Sequence, residues 1–141
     1  MNLEVTNILA VVLTAFIPVV VGVLWYSRLL FGKKWRQYEG ITPEMEQHMK
    51  KQSMLKKTIV AYITYFFIAY ALAILVNFMV VAALIPAIVL AVVVWLGFMI
   101  PAAVSDYLWS PHRKSWSLYH IHVGFFLVST ILMSVSLALW M

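Results

Sequence analysis

The sequence contains no cysteine. Disulfides, thiolate metal sites and cysteine nucleophiles are therefore excluded. It is also poor in charge: 11% of its 141 residues are Asp, Glu, Lys or Arg, against about 25% in an ordinary soluble domain. The shortage is concentrated. Val5 to Ser27 carries no such residue over 23 positions, Thr58 to Ser105 none over 48, and Ser115 to Met141 none over 27. No Ser-His-Asp spacing, glycine-rich phosphate loop or HExxH motif is present. The clustered acids and histidine-rich boxes common in membrane lipid enzymes are missing as well. Nothing in the sequence specifies a catalytic group, a metal site or a cofactor.

What fills the chain instead is apolar: 65% of residues are hydrophobic. A bilayer core about 30 Å thick takes roughly 20 apolar residues of helix to cross. The long uncharged run suffices for two crossings and the two shorter runs for one each. The sequence thus predicts an all-α integral membrane protein, a single domain of four transmembrane helices in a small bundle. The spans are expected at about residues 5–31, 58–80, 86–109 and 117–140, with a polar loop at 32–57. The first run has no Lys or Arg before it and is long enough to span, so it reads as a retained helix and not as a cleaved signal.

The net charge of +5 is not a nucleic-acid signature. Eight of the ten Lys and Arg fall between Arg28 and Lys57, and the others are Arg113 and Lys114. Lys and Arg concentrate in cytoplasmic loops and set orientation. The first and third connections are expected inside a plasma (cell inner) membrane, with both termini outside. Trp25, Tyr26, Trp35, Tyr38, Tyr107, Trp109, Trp116 and Tyr119 flank the same predicted inner face, where half-polar rings favour the interface. The Lys-rich loop also suits anionic lipid headgroups.

Local signals mark the helices. Glu4 suits the positive end of the first helix dipole, and Pro18 near its middle predicts a kink. Pro18 and Gly22 share a small-residue face, as do Gly97, Pro101 and Ser105 in the third span. Such faces let helices approach closely, one within the bundle and the other against a second copy in a dimer. Gly32 is read as the end of the first helix. Thr42-Pro43 starts a short helix, with Met45, Met49, Gln52 and Leu55 on one face. It fits either an amphipathic helix on the inner leaflet or an extension of the second span. Asn77 is the only strongly polar side chain of the long run, and the hairpin is placed between Asn77 and Pro86. A faint echo at an offset of 81 matches Tyr26, Lys33 and Trp35 with Tyr107, Lys114 and Trp116.

Ionisable groups in membrane segments raise a functional hypothesis by default. Asp106 is placed at the inner interface, where it can face Arg113 or Lys114. His120 and His122 lie near the start of the fourth span, two residues apart and so on nearly opposite faces. One regular helix cannot direct both to one metal; a site from Asp106, His112 and His120 is the remaining metal option. His120 shares a face with Gly124, which suggests buried packing. His122 shares its stripe with Ser129 and Ser136, which suits interhelical hydrogen bonding or a proton or solute path.

The stretch Gly22-Val23-Leu24-Trp25-Tyr26-Ser27-Arg28-Leu29-Leu30-Phe31-Gly32-Lys33-Lys34-Trp35, with Trp95-Leu96-Gly97-Phe98 and the aromatic start of the last helix, resembles a bacterial and archaeal membrane family catalogued as domain of unknown function 1761. Arg28 stands where that family usually has Pro, and His122 where Asn is expected. The resemblance implies four membrane helices and no assigned reaction. The functional expectation is a non-enzymatic membrane component, accessory or envelope; the alternative is a small transporter or channel for protons, cations or a small solute using His122 and Asp106. Small multidrug exporters have similar length and four helices but place a glutamate deep in the first helix, where this chain is apolar.

Overall fold

Proline has no amide hydrogen, so Pro18 cannot bond the carbonyl of Thr14, and the first apolar run divides there. A computed structural model, which describes residues 7–111 and 115–140, shows α1 at Ile8–Thr14 and α2 at Ile17–Trp25 with Pro18 in its first turn. Asn7 caps α1, its side chain accepting the Ala10 amide at 3.2 Å. Glu4 lies outside the described residues.

The sequence carries this helix to Phe31, but it stops at Trp25. Residues 26–31 fold back as turns, with the Phe31 amide on the Trp25 carbonyl (3.0 Å) and the Gly32 amide on the Ser27 carbonyl (2.9 Å). A β-carbon at Gly32 would collide with the carbonyl oxygens of Tyr26 and Ser27. Gly32 therefore permits the reversal and begins α3, Gly32–Glu39, instead of ending the first helix.

The polar segment continues as α4, Pro43–Lys51, with Thr42 accepting the Met45 amide at 3.3 Å. It is not continuous with the second span. Gln52 and Ser53 are extended, and Ser53 accepts the Lys56 amide (3.3 Å) to start α5, Met54–Phe78. The chain then turns through residues 79–83. The Val80 amide bonds the Asn77 carbonyl (3.2 Å) and the Val81 amide the Val76 carbonyl (2.9 Å). This is the Schellman pattern.

The third span is α6, Leu84–Val94, a π turn at Trp95–Met99, and α7, Ile100–Trp109. Pro101 cannot donate to the Gly97 carbonyl, and the ladder shifts register beside it: the Ile100 amide bonds the Trp95 carbonyl, five residues back. The fourth span is α8, Trp116–Trp140. Ile8–Trp25, Met54–Phe78, Leu84–Trp109 and Trp116–Trp140 are each long and apolar enough to cross a membrane. Among the described residues the regular structure is all helical.

Helix α8 is the central element. Of its most apolar 18 residues 44% are buried, against 17% for the third span. The core joins Ala10, Val11 and Ala15 to Leu72, Ala73 and Val76 of α5, to Ala87 of α6, and to Met133 and Leu137 of α8. The alanines allow close helix approach. Polar ties reinforce it: Ser134 Oγ donates to the Ala87 carbonyl (2.8 Å) and Tyr62 Oη to the Val12 carbonyl (3.0 Å).

Candidate functional site

Two tryptophans hold the start of α8 from opposite partners. An indole N–H needs an acceptor when it is removed from water. Trp25, the last residue of α2, donates Nε1–H to the Ile121 carbonyl at 3.0 Å. Trp95, at the start of the π turn, donates to the Val123 carbonyl at 2.8 Å. These carbonyls flank His122. Its Nδ1 lies 2.8 Å from Tyr26 Oη in one hydrogen bond across the first and fourth spans. The close fit depends on small residues. A β-carbon on Gly124 would stand 3.2 Å from the Trp25 ring, and one on Gly22 would stand 3.5 Å from Phe125.

On the side of His122 turned toward the third span lies a cavity of about 530 Å³. Its walls are mostly carbon: Ile68 of α5, Phe98 and Met99 of the π turn, Ala102 and Ala103 of α7, and Leu118 and Phe126 of α8. Its polar groups are Asp106, Tyr107, Tyr119 and His122. Asp106 and His122, on different spans, thus border one space. The π turn helps shape it: Trp95 ties that turn to α8, and Thr130 Oγ1 donates to the Phe126 carbonyl (2.6 Å) and approaches Met99 Sδ at 3.3 Å.

The other candidates are distributed along the fold. His120 is exposed, not buried as its face with Gly124 suggests, and its Nδ1 lies 2.6 Å from the Trp116 carbonyl. A carbonyl only accepts, so Nδ1 carries the proton. The His120 ring lies instead along its own helix, against the Trp116 carbonyl and the Tyr119 ring at 5.5 Å between centroids. Ser129 is buried, with no hydrogen-bond partner for its hydroxyl among the described residues, and the same holds for Thr14 on α1. Ser136 borders a second cavity of about 380 Å³ with Thr14 and Trp140, at the opposite end of α8. Asn77 is in the last turn of α5. Pro18 is buried, whereas Gly97 and Pro101 are exposed, with open space around Gly97.

His112, Arg113 and Lys114 lie outside the described residues, so the Asp106, His112 and His120 combination falls partly there. Among the described residues, no three His, Asp or Glu side chains converge as metal ligands. The two aromatic pairs of the internal echo are both in contact, Tyr26 with Trp35 at 5.7 Å and Tyr107 with Trp116 at 4.2 Å between ring centroids.

The sequence places Trp25 and Tyr26 in an interface belt, Tyr26 also on the face of Pro18 and Gly22, and Trp95 in a family motif, without indicating these hydrogen bonds. The polar handle on each ring was the available signal: a ring nitrogen or hydroxyl inside an apolar span must find an acceptor.

Comparison with curated proteins and with solved structures finds no match. The model of one family, described as "Protein of unknown function (DUF1761)", matches residues 9–138, and the chain belongs to that family.

Proposed function

We propose that the chain is a four-span, non-enzymatic protein of the cell inner membrane whose working part is the cavity beside His122, a binding site for a small amphiphile. The observation that carries this reading is the cavity itself, about 530 Å³ and carbon-walled, with Asp106 and His122 at its edge. Ligand sites are commonly 300–1,000 Å³, mostly apolar, with a few convergent polar groups. Ala103→Phe fills the space without altering charge. Mass spectrometry of small molecules co-purifying with the wild type should show an amphiphile that the variant loses. Equal content in both would overturn the reading.

The arrangement proposed is a bundle with both termini outside. Its support is the basic segment 28–57, against a connection at 79–83 that carries no charge. Self-association as a dimer is proposed through the open face of Gly97 and Pro101, on the least buried span.

A second reading, transport of protons, cations or a small solute, is favoured by one observation. His122 and Ser136 border cavities at opposite ends of α8, and the buried Ser129 hydroxyl lies between them. Flux measurements in liposomes separate the two.

A further inference from the structure

We propose that the groove at the junction of α4 and α5 seats one anionic phospholipid, its phosphate held by Lys56 and Lys57. The groove is open, with a volume of about 610 Å³, and is lined by Gln52, Ser53, Lys56, Lys57, Val60 and Ala61, all but Ala61 exposed. Lys56 and Val60 are four residues apart on α5, as are Lys57 and Ala61. Side chains at that spacing are neighbours on one face. Each lysine therefore stands one turn, about 6 Å, from an apolar partner deeper in the span. Cation first and hydrocarbon next is the order in which a phospholipid presents phosphate and acyl chain.

Depth supports the same occupant. From Thr58 onward α5 carries no charged residue. The two lysines thus stand at the margin of the apolar helix, with flexible stems that reach toward headgroup level.

Charge complementarity points to an anion. Glu46 accepts from Arg36 at 2.8 Å and lies 3.5 Å from Lys50. Neither of these ion pairs involves Lys51, Lys56 or Lys57. Lys51, Lys56 and Lys57 thus bring three positive charges to this junction, and a second group, Arg28, Lys33 and Lys34, stands before and within α3. Lysine is a compact point charge that suits a phosphodiester without demanding a fixed fork geometry.

The proposal rests on α5 crossing a bilayer. Alkaline carbonate extraction of cell membranes tests that premise separately, since release into the supernatant would overturn the membrane reading whatever the lipid result.

The direct test uses the full chain in nanodiscs of mixed phosphatidylglycerol and phosphatidylcholine, with retained lipid read by native mass spectrometry. Wild type should retain one phosphatidylglycerol, and Lys56→Gln with Lys57→Gln should weaken that retention about tenfold or more. The arginine pair at the same positions should keep it, and so should Lys33→Gln with Lys34→Gln, which removes equal charge elsewhere. If the control pair loses as much as the groove pair, diffuse surface charge is the cause and the seat does not exist. Displacement of the lipid by glycerol phosphate alone would overturn the lipid assignment in favour of a free phosphate site. Ala61→Phe keeps every charge and blocks the apolar floor. It should also lose phosphatidylglycerol, and undiminished retention there would overturn the proposal even if the lysine variants fail to fold.

Discussion

Tyr26 and His122, 96 positions apart, share a 2.8 Å hydrogen bond that joins the end of the first span to the start of the fourth. Tyr26→Phe removes the hydroxyl and leaves an imidazole nitrogen without this partner, at a cost of about 1–2 kcal/mol. Thermal unfolding in detergent should show a lower midpoint. His122→Asn should be tolerated better than His122→Leu, because Asn both donates and accepts. A double-mutant cycle of Tyr26→Phe with His122→Leu should return a coupling of about 1 kcal/mol. Additive losses would show that the bond contributes nothing.

Contacts at Gly22 and Gly124 differ in tightness, and the difference is testable. A β-carbon at Gly22 would make an ordinary contact with Phe125, so Gly22→Ala should be near neutral. Gly22→Leu should destabilise by about 1–3 kcal/mol, the usual cost of overpacking. Gly124→Ala should cost more than Gly22→Ala, because its β-carbon meets the Trp25 ring at 3.2 Å. Reversal of that order in unfolding midpoints would contradict the packing described.

Two turns share one backbone motif but not one residue type. Gly40 ends α3 at φ +65°, and Val80 follows α5 at φ +53°. The left-handed region suits glycine and strains a β-branched side chain. Val80 is exposed, so its side chain loses little burial on removal. Val80→Gly should stabilise by about 1 kcal/mol. Gly40→Val should destabilise by a similar amount. A loss of stability in Val80→Gly would mean that the valine methyls contribute more than the strain.

The Arg36–Glu46 pair makes the α3–α4 segment sensitive to acid. The hydrogen bond from Arg36, aided by the nearby charge of Lys50, lowers the Glu46 pKa below its ordinary value. A lowered carboxylate pKa stabilises the folded segment above the ordinary glutamate range. That contribution fades as pH falls through the lowered pKa. Both side chains are reached by solvent, so the effect is modest and screened by salt. Hydrogen exchange of the α3–α4 amides should quicken at acid pH relative to the core, and Glu46→Gln should abolish that difference. An unchanged acid response in Glu46→Gln would place its origin elsewhere.

The four long helices were legible because absence of charge is a property of composition alone. Their ends and breaks depend on tertiary detail. Leu29, Leu30 and Phe31 continue the apolar pattern of the first span, yet the helix stops at Trp25, because Gly32 permits a backbone reversal that no periodicity encodes. Trp95 to Met99 has a composition that suits any buried helix, and its π register emerges only beside Pro101 and the Trp95 bond to α8. Asp106 and His122 were visible as polar residues in apolar surroundings. Their meeting at one cavity required the antiparallel packing of the third and fourth spans. His120 shows the limit of face arguments, since sharing a face with Gly124 did not bury it.

The stripe His122, Ser129 and Ser136 allows transport to be tested directly. Ser136 lies fourteen residues beyond His122 on α8, about 21 Å along the helix axis. Cavities border both ends; Ser129 between them, and Thr14 in the wall of the Ser136 cavity, each bury a hydroxyl without a hydrogen-bond partner among the described residues. Buried hydroxyls left so are costly unless something polar visits them. If the stripe conducts, wild-type protein in liposomes should pass protons or cations above empty vesicles. That flux should change across about pH 5.5 to 8, where imidazole is the side chain that ordinarily changes charge. His122→Asn should keep the fold and lose the pH dependence, and Ser129→Ala should lower flux with the unfolding midpoint held. If His122 instead only ties the first span to the fourth, His122→Leu lowers stability and no protein in the series moves an ion. Wild-type flux equal to that of empty vesicles over the whole range would end the transport reading and leave the cavity as a binding site.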